Sequence, residues 1–329
     1  MNSIVQLIAR EQPVTAPQSR TFIRATEVWT LDEASQRLTL ASGIYGDMTR
    51  FAEVSRGQSF GYDEGLPGRA WASGCTVVLN GFGGSYFKRI EAAAAEGLGT
   101  GVAIPVFRAR KLKGVVVFLC GQDAEHIGAI EVWRATYHPG DTMSLADGYY
   151  GSAQHFEWIS RRTQFPMGQG LPGRVWESGQ PCLIRDLGNS HRFIRSDDAG
   201  DAGMTMGLGI PVSTNVPGAE VLALLSARGT PIARRFEIWT HAGGGRLQFA
   251  DGMCEAEGAP HREAAQGFIE PGEGHIGAVA ATGIPAAVTD LEAGSSACER
   301  AALRHGFRSI VALPVFGPEG LRNVAAWYF

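Results

Sequence analysis

Gly170-Leu171-Pro172-Gly173-Arg174-Val175-Trp176-Glu177-Ser178-Gly179 has a near-copy at Gly65-Leu66-Pro67-Gly68-Arg69-Ala70-Trp71-Ala72-Ser73-Gly74. A looser copy stands at Gly274-His275-Ile276-Gly277-Ala278-Val279-Ala280-Ala281-Thr282-Gly283. Upstream of them lie Glu131-Val132-Trp133, Glu27-Val28-Trp29 and Glu237-Ile238-Trp239, each followed by a second short apolar stretch (143–147, 37–42 and 246–251). Downstream lie Ile210-Pro211-Val212, Ile104-Pro105-Val106 and Leu313-Pro314-Val315. Four landmarks in one order, three times, define an internal repeat of about 105 residues. That is far longer than the roughly 20–50 residues of a solenoid repeat and right for a small domain. The units are placed at 21–125, 126–231 and 232–329, after an N-terminal segment, 1–20. Each unit's last strand runs almost directly into the next unit's first, which predicts rigid stacking rather than a flexible string.

Locally the units read as α+β. The Glu-Val-Trp stretches have strand composition, with glycines and polar clusters between strands. Gly-Leu-Pro-Gly reads as a turn, followed by one helical turn at 174–178 with Gly179 in the left-handed position beyond its end. A strand is expected to return at 181–186. Unit 1 is expected to hold a helix over 86–96, and unit 2 a shorter or broken one because of Gly200. In unit 3, Ser296-Ala297-Cys298-Glu299 fits a capping box, and Gly306 ends that helix as Gly97 and Gly203 do in the other units.

Composition narrows the functional classes. The chain has 329 residues, 44% hydrophobic and 19% charged, with a formal net charge of -4. No basic excess points to nucleic acid. The longest apolar runs are near half of a membrane span, and Met1–Arg20 has no signal-type h-region, so no membrane insertion and a cytoplasmic location are expected. Cys75, Cys120, Cys182, Cys254 and Cys298 lack zinc-ligand or C-x-x-C spacing and read as reduced, mostly buried thiols. No nucleophile elbow, Walker loop or His-Glu-x-x-His occurs, so no catalytic residue or metal ligand is assigned.

The stretch 170–187, the helix after it, its terminal glycine and the strand with Ile210-Pro211-Val212 resemble the heart of a GAF domain. Unit 1 matches except that Asn80 stands where unit 2 has Asp186. Unit 3 keeps Asp290 but lacks the Arg and Trp of the Gly-x-x-Gly stretch. The resemblance covers about 60–70 residues of each unit. It implies three tandem compact domains, each an antiparallel sheet with short helices, but not a ligand, since GAF domains bind cyclic nucleotides, bilins, haem, metabolites or nothing. The Asn-Lys-x-x-x-Phe-x-x-x-Asp-Glu pattern of cyclic-nucleotide binders is absent. The helices that flank typical GAF domains have no room in units 2 and 3, which would leave apolar sheet surface to cover.

The resemblance places a pocket beside the segment after the Asp-bearing strand. In unit 2 it implicates Asp186, His191, Arg192, Phe193 and Arg195, with Trp176 and Met204. In unit 1 it implicates Asn80, Tyr86, Phe87, Arg89 and Trp71. An aromatic beside an arginine suits stacking on a ring and pairing with a phosphate or carboxylate. The competing reading packs the Phe under the helix and extends the Arg to solvent. Asp186 and Asp290 would accept a ligand's hydrogen bond or serve a turn. Cys298, second in its helix, is where unpaired N–H groups favour a thiolate, although it also reads as a small buried residue. The first functional reading is a non-enzymatic small-molecule sensor or adaptor with an unidentified ligand, acting through a protein partner or its own oligomers. The alternative is a ligand-free structural or assembly scaffold. A bilin, haem or thiol-redox protein is third.

Overall fold

Each Glu-Val-Trp stretch lies in a central strand of a six-stranded antiparallel sheet, where both sheet faces are covered and β-branched and aromatic side chains pack best. The computed structural model describes residues 21–121, 126–136, 140–227, 229–254, 267–289, 291 and 296–329. Unit 1 runs β1 (Ile23–Asp32), β2 (Arg37–Ile44), α1 (Thr49–Arg56), β3 (Ser59–Phe60), α2 (Gly65–Ser73), β4 (Val77–Asn80), α3 (Ile90–Ala95), β5 (Leu98–Arg108) and β6 (Lys111–Gly121). Unit 2 repeats this as β7 (Ile127–Ala135), β8 (Thr142–Gly151), α4 (Gln154–Ser160), β9 (Gln164–Pro166), α5 (Gly170–Ser178), β10 (Cys182–Arg185), α6 (Ser196–Asp201), β11 (Met204–Val212) and β12 (Ala219–Ala227). In unit 3 the described elements are β13 (Arg235–His241), β14 (Leu247–Cys254), β15 (Phe268–Ile269), α7 (Gly274–Thr282), β16 (Ala286–Val288), α8 (Ala297–Arg304), β17 (Ile310–Gly317) and β18 (Gly320–Tyr328).

The strand order is the same three times: β3-β2-β1-β6-β5-β4, β9-β8-β7-β12-β11-β10 and β15-β14-β13-β18-β17-β16. The irregularities repeat too. Registers shift between Val28 and Trp29, Val132 and Trp133, and Ile238 and Trp239, leaving Ala41, Ala146 and Ala250 as the extra residue of a bulge. A bulge sharpens the local twist, so each sheet curls at the same place. The fold is α+β with three GAF-like units.

Two local expectations need correction. Gly-Leu-Pro-Gly is the first turn of a nine-residue helix rather than a turn before a short one. Proline fits there because the first turn's N–H groups have no intrahelical acceptor. The 86–96 helix is only Ile90–Ala95, because Phe87 and Arg89 turn into the core ahead of it, so it is no longer than the six-residue Ser196–Asp201 of unit 2, which Gly200 does not shorten. The capping box at Ser296 and Glu299 and the left-handed Gly179 are as expected, and Gly74 and Gly283 end their helices in the same way.

Successive residues of a strand face opposite sides, and both sides are apolar here. Trp29, Val115, Val117 and Leu119 pack under unit 1's helices. Val28, Val116 and Phe118 face the other way and meet Ile130, Val132, Leu222 and Leu224 of unit 2 and Ile238, Leu313, Ala325 and Trp327 of unit 3 in one shared cluster. The sheet surface that flanking helices would cover is covered by the other two sheets.

The units close a ring. Asn80 Nδ2 of β4 donates to Gly148 O of β8 (3.2 Å), and Arg185 Nη2 of β10 donates to Asp251 Oδ1 and Gly252 O of β14 (2.5 and 2.6 Å). Ala287 N of β16 donates to Ser42 Oγ of β2 (3.2 Å), returning to unit 1. Gly43, Gly148 and Gly252 stand opposite Glu27, Glu131 and Glu237, so the three docking points are equivalent. A head-to-tail contact that closes after three steps is threefold pseudosymmetry within one chain. The first junction carries a distinctive polar lock: Thr76 N and Oγ1 donate to Glu220 Oε1 (3.0 and 2.5 Å), and Arg134 Nε donates to Glu220 Oε2 (2.7 Å). At the axis end where the β5–β6, β11–β12 and β17–β18 hairpins meet, neighbours cap helix ends. Asn215 N donates to Gly74 O (2.8 Å), and Arg322 Nη1 donates to Ser178 O and Gly179 O (3.3 and 3.2 Å).

Candidate functional site

Under each sheet's helical face lies a buried carboxylate with an arginine. In unit 2, Glu131 is fully buried and receives both prongs of Arg195: Nη1 to Oε1 (2.6 Å) and Nη2 to Oε2 (2.8 Å). Trp133 Nε1 donates to Oε2 (2.9 Å) and Tyr150 Oη to Oε1 (3.1 Å), while Arg195 Nη1 also reaches Ser160 Oγ. Burial alone would raise the Glu131 carboxyl, but the Arg195 charge and these donors hold it below the ordinary carboxylate range. Tyr150 is pushed well above the usual phenol range, by burial first and then by the Glu131 charge. The guanidinium lies among the rings of Phe156, Phe193, Trp133 and Phe165, 4.6–5.4 Å from their centroids.

Unit 1 repeats this. Arg89 donates through Nη1 to Glu27 Oε1 and to Ser55 Oγ, and through Nη2 to Oε2 (2.8 Å). Trp29 Nε1 and Tyr45 Oη complete the carboxylate's partners at 3.0 and 3.1 Å.

Unit 3 builds the same set from other positions. Glu237 accepts from Trp239 Nε1 (3.0 Å), from Tyr328 Oη (3.0 Å) and from Arg235 through Nε (2.8 Å) and Nη2. Arg235 comes from Glu237's own strand and Tyr328 from β18. Counted back from the helix-ending glycine, the position of Arg89 and Arg195 is Cys298, and that of Tyr45 and Tyr150, two after Gly43 and Gly148, is Cys254. Strand residues two apart share a face, so Arg235 reaches the same side of the sheet as Glu237. A buried glutamate needs a cation and donors whatever their origin.

The implicated residues separate accordingly. Phe193, Arg195, Phe87 and Arg89 are buried and come together, but around Glu131 and Glu27. Phe87 also stacks on Phe82, with centroids 3.9 Å apart. Met204 is core. Asp186 is exposed, has a φ of 56°, and accepts from Asn189 Nδ2 at 3.0 and 3.1 Å, the geometry of a turn. His191 and Arg192 are exposed. Asn80 serves the junction with unit 2. Tyr86 is half-buried under Arg69, 3.8 Å from its ring centre, and Trp71 meets Tyr62 edge-on. Asp290 lies outside the described residues.

Cys298 is a small buried residue, the second of its two readings, rather than a thiolate. It is 4% exposed with Sγ 3.0 Å from Ser296 Oγ, and burial, then the Glu237 charge, push its thiol up. The helix N-terminus is outweighed because its thiol lies beside the buried carboxylate, away from water. None of the five cysteines is in a disulfide; Cys120 and Cys298 are buried, and Cys75, Cys182 and Cys254 are half-buried.

Trp176 lines an open cleft of about 760 Å³ between units, with Phe107 and Arg108 of unit 1, Val212 and Val216 of unit 2 and Phe316 of unit 3. Arg89 and Arg195 do not line it. The glutamates were legible only as repeat landmarks. The usable signal was a charged residue recurring mid-strand between apolar neighbours, three times.

Among solved structures, the chain is similar to the GAF domain of A. aeolicus nlh2 in an inactive state (19% identity, 30% of this chain and 58% of that chain, TM-score 0.25). It is similar to the free methionine-R-sulfoxide reductase of Neisseria meningitidis in complex with its substrate (18%, 30% and 52%, TM-score 0.24). A third is the GAF domain of Acinetobacter phosphoenolpyruvate-protein phosphotransferase (22%, 30% and 55%, TM-score 0.23). Each match spans about one unit of this chain and little more than half of the matched structure. No family model and no curated protein matches the chain. Among the described residues, no helix is long and apolar enough to cross a membrane.

Proposed function

We propose that the chain is a non-enzymatic assembly scaffold: three GAF-like units locked in a ring, with the aromatic–arginine clusters spent on structure. The observation that carries this reading is the commitment of both prongs of Arg89 and Arg195 to buried glutamates. A ligand anion taking either guanidinium would strand a buried carboxylate, and breaking such a pair costs about 3–5 kcal/mol. The expectation of a sensor built on Arg89 and Arg195 therefore gives way to its alternative. The shared core supports the same reading, since three sheets packed face to face hold their outer surfaces in fixed relative positions.

Native mass spectrometry of freshly purified protein tests it. The expected result is a mass that whole copies of the chain account for, with no small molecule released on denaturation. A retained molecule, lost on denaturation, would overturn it. A second reading keeps small-molecule sensing but moves it to the cleft beside Trp176, which three units build together. A bound ligand whose affinity falls in Trp176→Ala but not in Trp71→Ala would favour that reading.

A further inference from the structure

Units 1 and 2 share their cores but differ on one outward face. Trp158 of α4 and Ile194, just before α6, are 51% and 53% exposed. In the register that places Ser160 on Ser55 and Arg195 on Arg89, their counterparts are Glu53 and Lys88. Lys88 pairs with Glu64 (3.3 Å), whose own counterpart is Gln169. Unit 1 is dressed for water where unit 2 offers an indole and an isoleucine. The two segments adjoin, because Arg195 reaches Ser160 of α4 and His155 Nε2 lies 3.6 Å from Asp198 Oδ1 of α6.

Charge indicates what covers this face. The α4 side carries His155, Arg161 and Arg162 against one carboxylate, Glu157, which pairs with Arg161 (2.6 Å), and the α6 side carries Asp197, Asp198 and Asp201 against one cation, exposed Arg192, so the first is net basic and the second net acidic. An apolar centre between a basic and an acidic edge is complementary to itself under a twofold rotation, which sets α4 of one copy against α6 of the other. Arg162 lies 4.0 Å from the Trp158 ring centre and donates to Trp158 O (3.0 Å), so the indole is held in place, and Trp and Arg are residue types that dominate interface energies. We infer that the α4/α6 face of unit 2 is an isologous dimer interface between two copies of this chain. Because unit 1 carries Glu53 and Lys88 on the equivalent face, that unit does not repeat the contact. This deepens the scaffold reading, in which assembly is the activity.

Light scattering after size exclusion and native mass spectrometry of the full chain, across about 1–100 µM, test the inference. Wild type is expected to dimerise. The double variant Trp158→Glu/Ile194→Lys, which installs unit 1's own residues, is expected to weaken the dimer by at least about 100-fold with an unchanged unfolding midpoint. A wild type monomeric throughout, or a dimer indifferent to that variant, overturns the interface. If the variant also unfolds early, Arg161→Asp and Asp201→Arg decide. Each alone should dimerise more weakly than wild type, and an equimolar mixture should recover a heterodimer. No recovery overturns the interface. The same spectra keep the two readings apart: a ligand-free monomer removes the interface and leaves the sealed units, whereas a ligand-bearing dimer does the reverse.

Discussion

Replacing Arg195 with alanine tests whether the aromatic–arginine cluster is structural. The Arg195 and Glu131 side chains are 2% and 0% exposed, so the substitution removes a charge that water cannot replace. It takes two donors from the carboxylate, leaving those of Trp133 and Tyr150. It also removes the guanidinium from among the rings of Phe156, Phe165 and Phe193. Stranding a buried charge costs about 3–5 kcal/mol, and that loss is expected in denaturant melts at pH 7.5. The sign of its pH dependence follows from Glu131. In wild type its folded pKa is depressed, so its contribution is complete above the unfolded value, near about 4.3, and is lost as pH falls below it. Without Arg195, burial outweighs the remaining Trp133 and Tyr150 donors, and the folded pKa rises above the unfolded one. The folded variant then takes up a proton as pH falls toward 5. The gap between variant and wild type should therefore narrow by more than about 1 kcal/mol between pH 7.5 and 5, within the limit of about 1.4 kcal/mol per pH unit for one proton. Glu131→Gln/Arg195→Met, which removes both charges, should recover most of the loss. A loss below about 1 kcal/mol with no pH dependence would refute the structural role and return Arg195 to a ligand.

Leu222→Ala, in the core shared by all three sheets, should cost about 2–5 kcal/mol and lower the stability of all three units in one transition. Tryptophan fluorescence and far-ultraviolet circular dichroism that separate into several transitions would contradict a common core. Glu220→Ala leaves the buried Thr76 N–H and Oγ1–H and Arg134 Nε without the acceptor they share, Arg134 keeping Nη2 on Thr76 O (2.7 Å), with an expected loss of about 1–3 kcal/mol in the same melts, whereas the exposed Glu33→Ala should change stability by less than about 0.5 kcal/mol. The Cys298 thiol should resist iodoacetamide at pH 8 in the folded protein and react on unfolding, with peptide mass mapping as the readout. Labelling of Cys298 in the native state as fast as in denaturant would show an exposed thiolate.

The similarity of the three cores hides two routes to one electrostatic solution. Units 1 and 2 bring the arginine from the segment before a short helix, more than sixty residues from its glutamate. Unit 3 takes it from two residues away on the same strand and fills the vacated place with Cys298. The requirement is a cation within hydrogen-bonding reach of a buried carboxylate, and any position on that sheet face meets it.

What the residues determined by themselves is local. Repeated landmarks identify three units of one kind, Gly74, Gly179 and Gly283 end helices where only a left-handed residue fits, and Ser296 with Glu299 starts one. Each of these depends on neighbours within a few positions, so chain order alone expresses it. What only the tertiary structure decided is which side chains face one another across long stretches of chain. Phe193 and Arg195 satisfy the composition of a ligand site and of a core ion pair equally well. They became a core pair because curling the sheet at the Val132–Trp133 bulge sets Glu131 under α4 and α6. The ring was hidden for the same reason. Val28, Val132 and Ile238 read as the buried faces of separate sheets, and their shared core exists only because three curled sheets close around one axis, where each apolar face is removed from water by the other two.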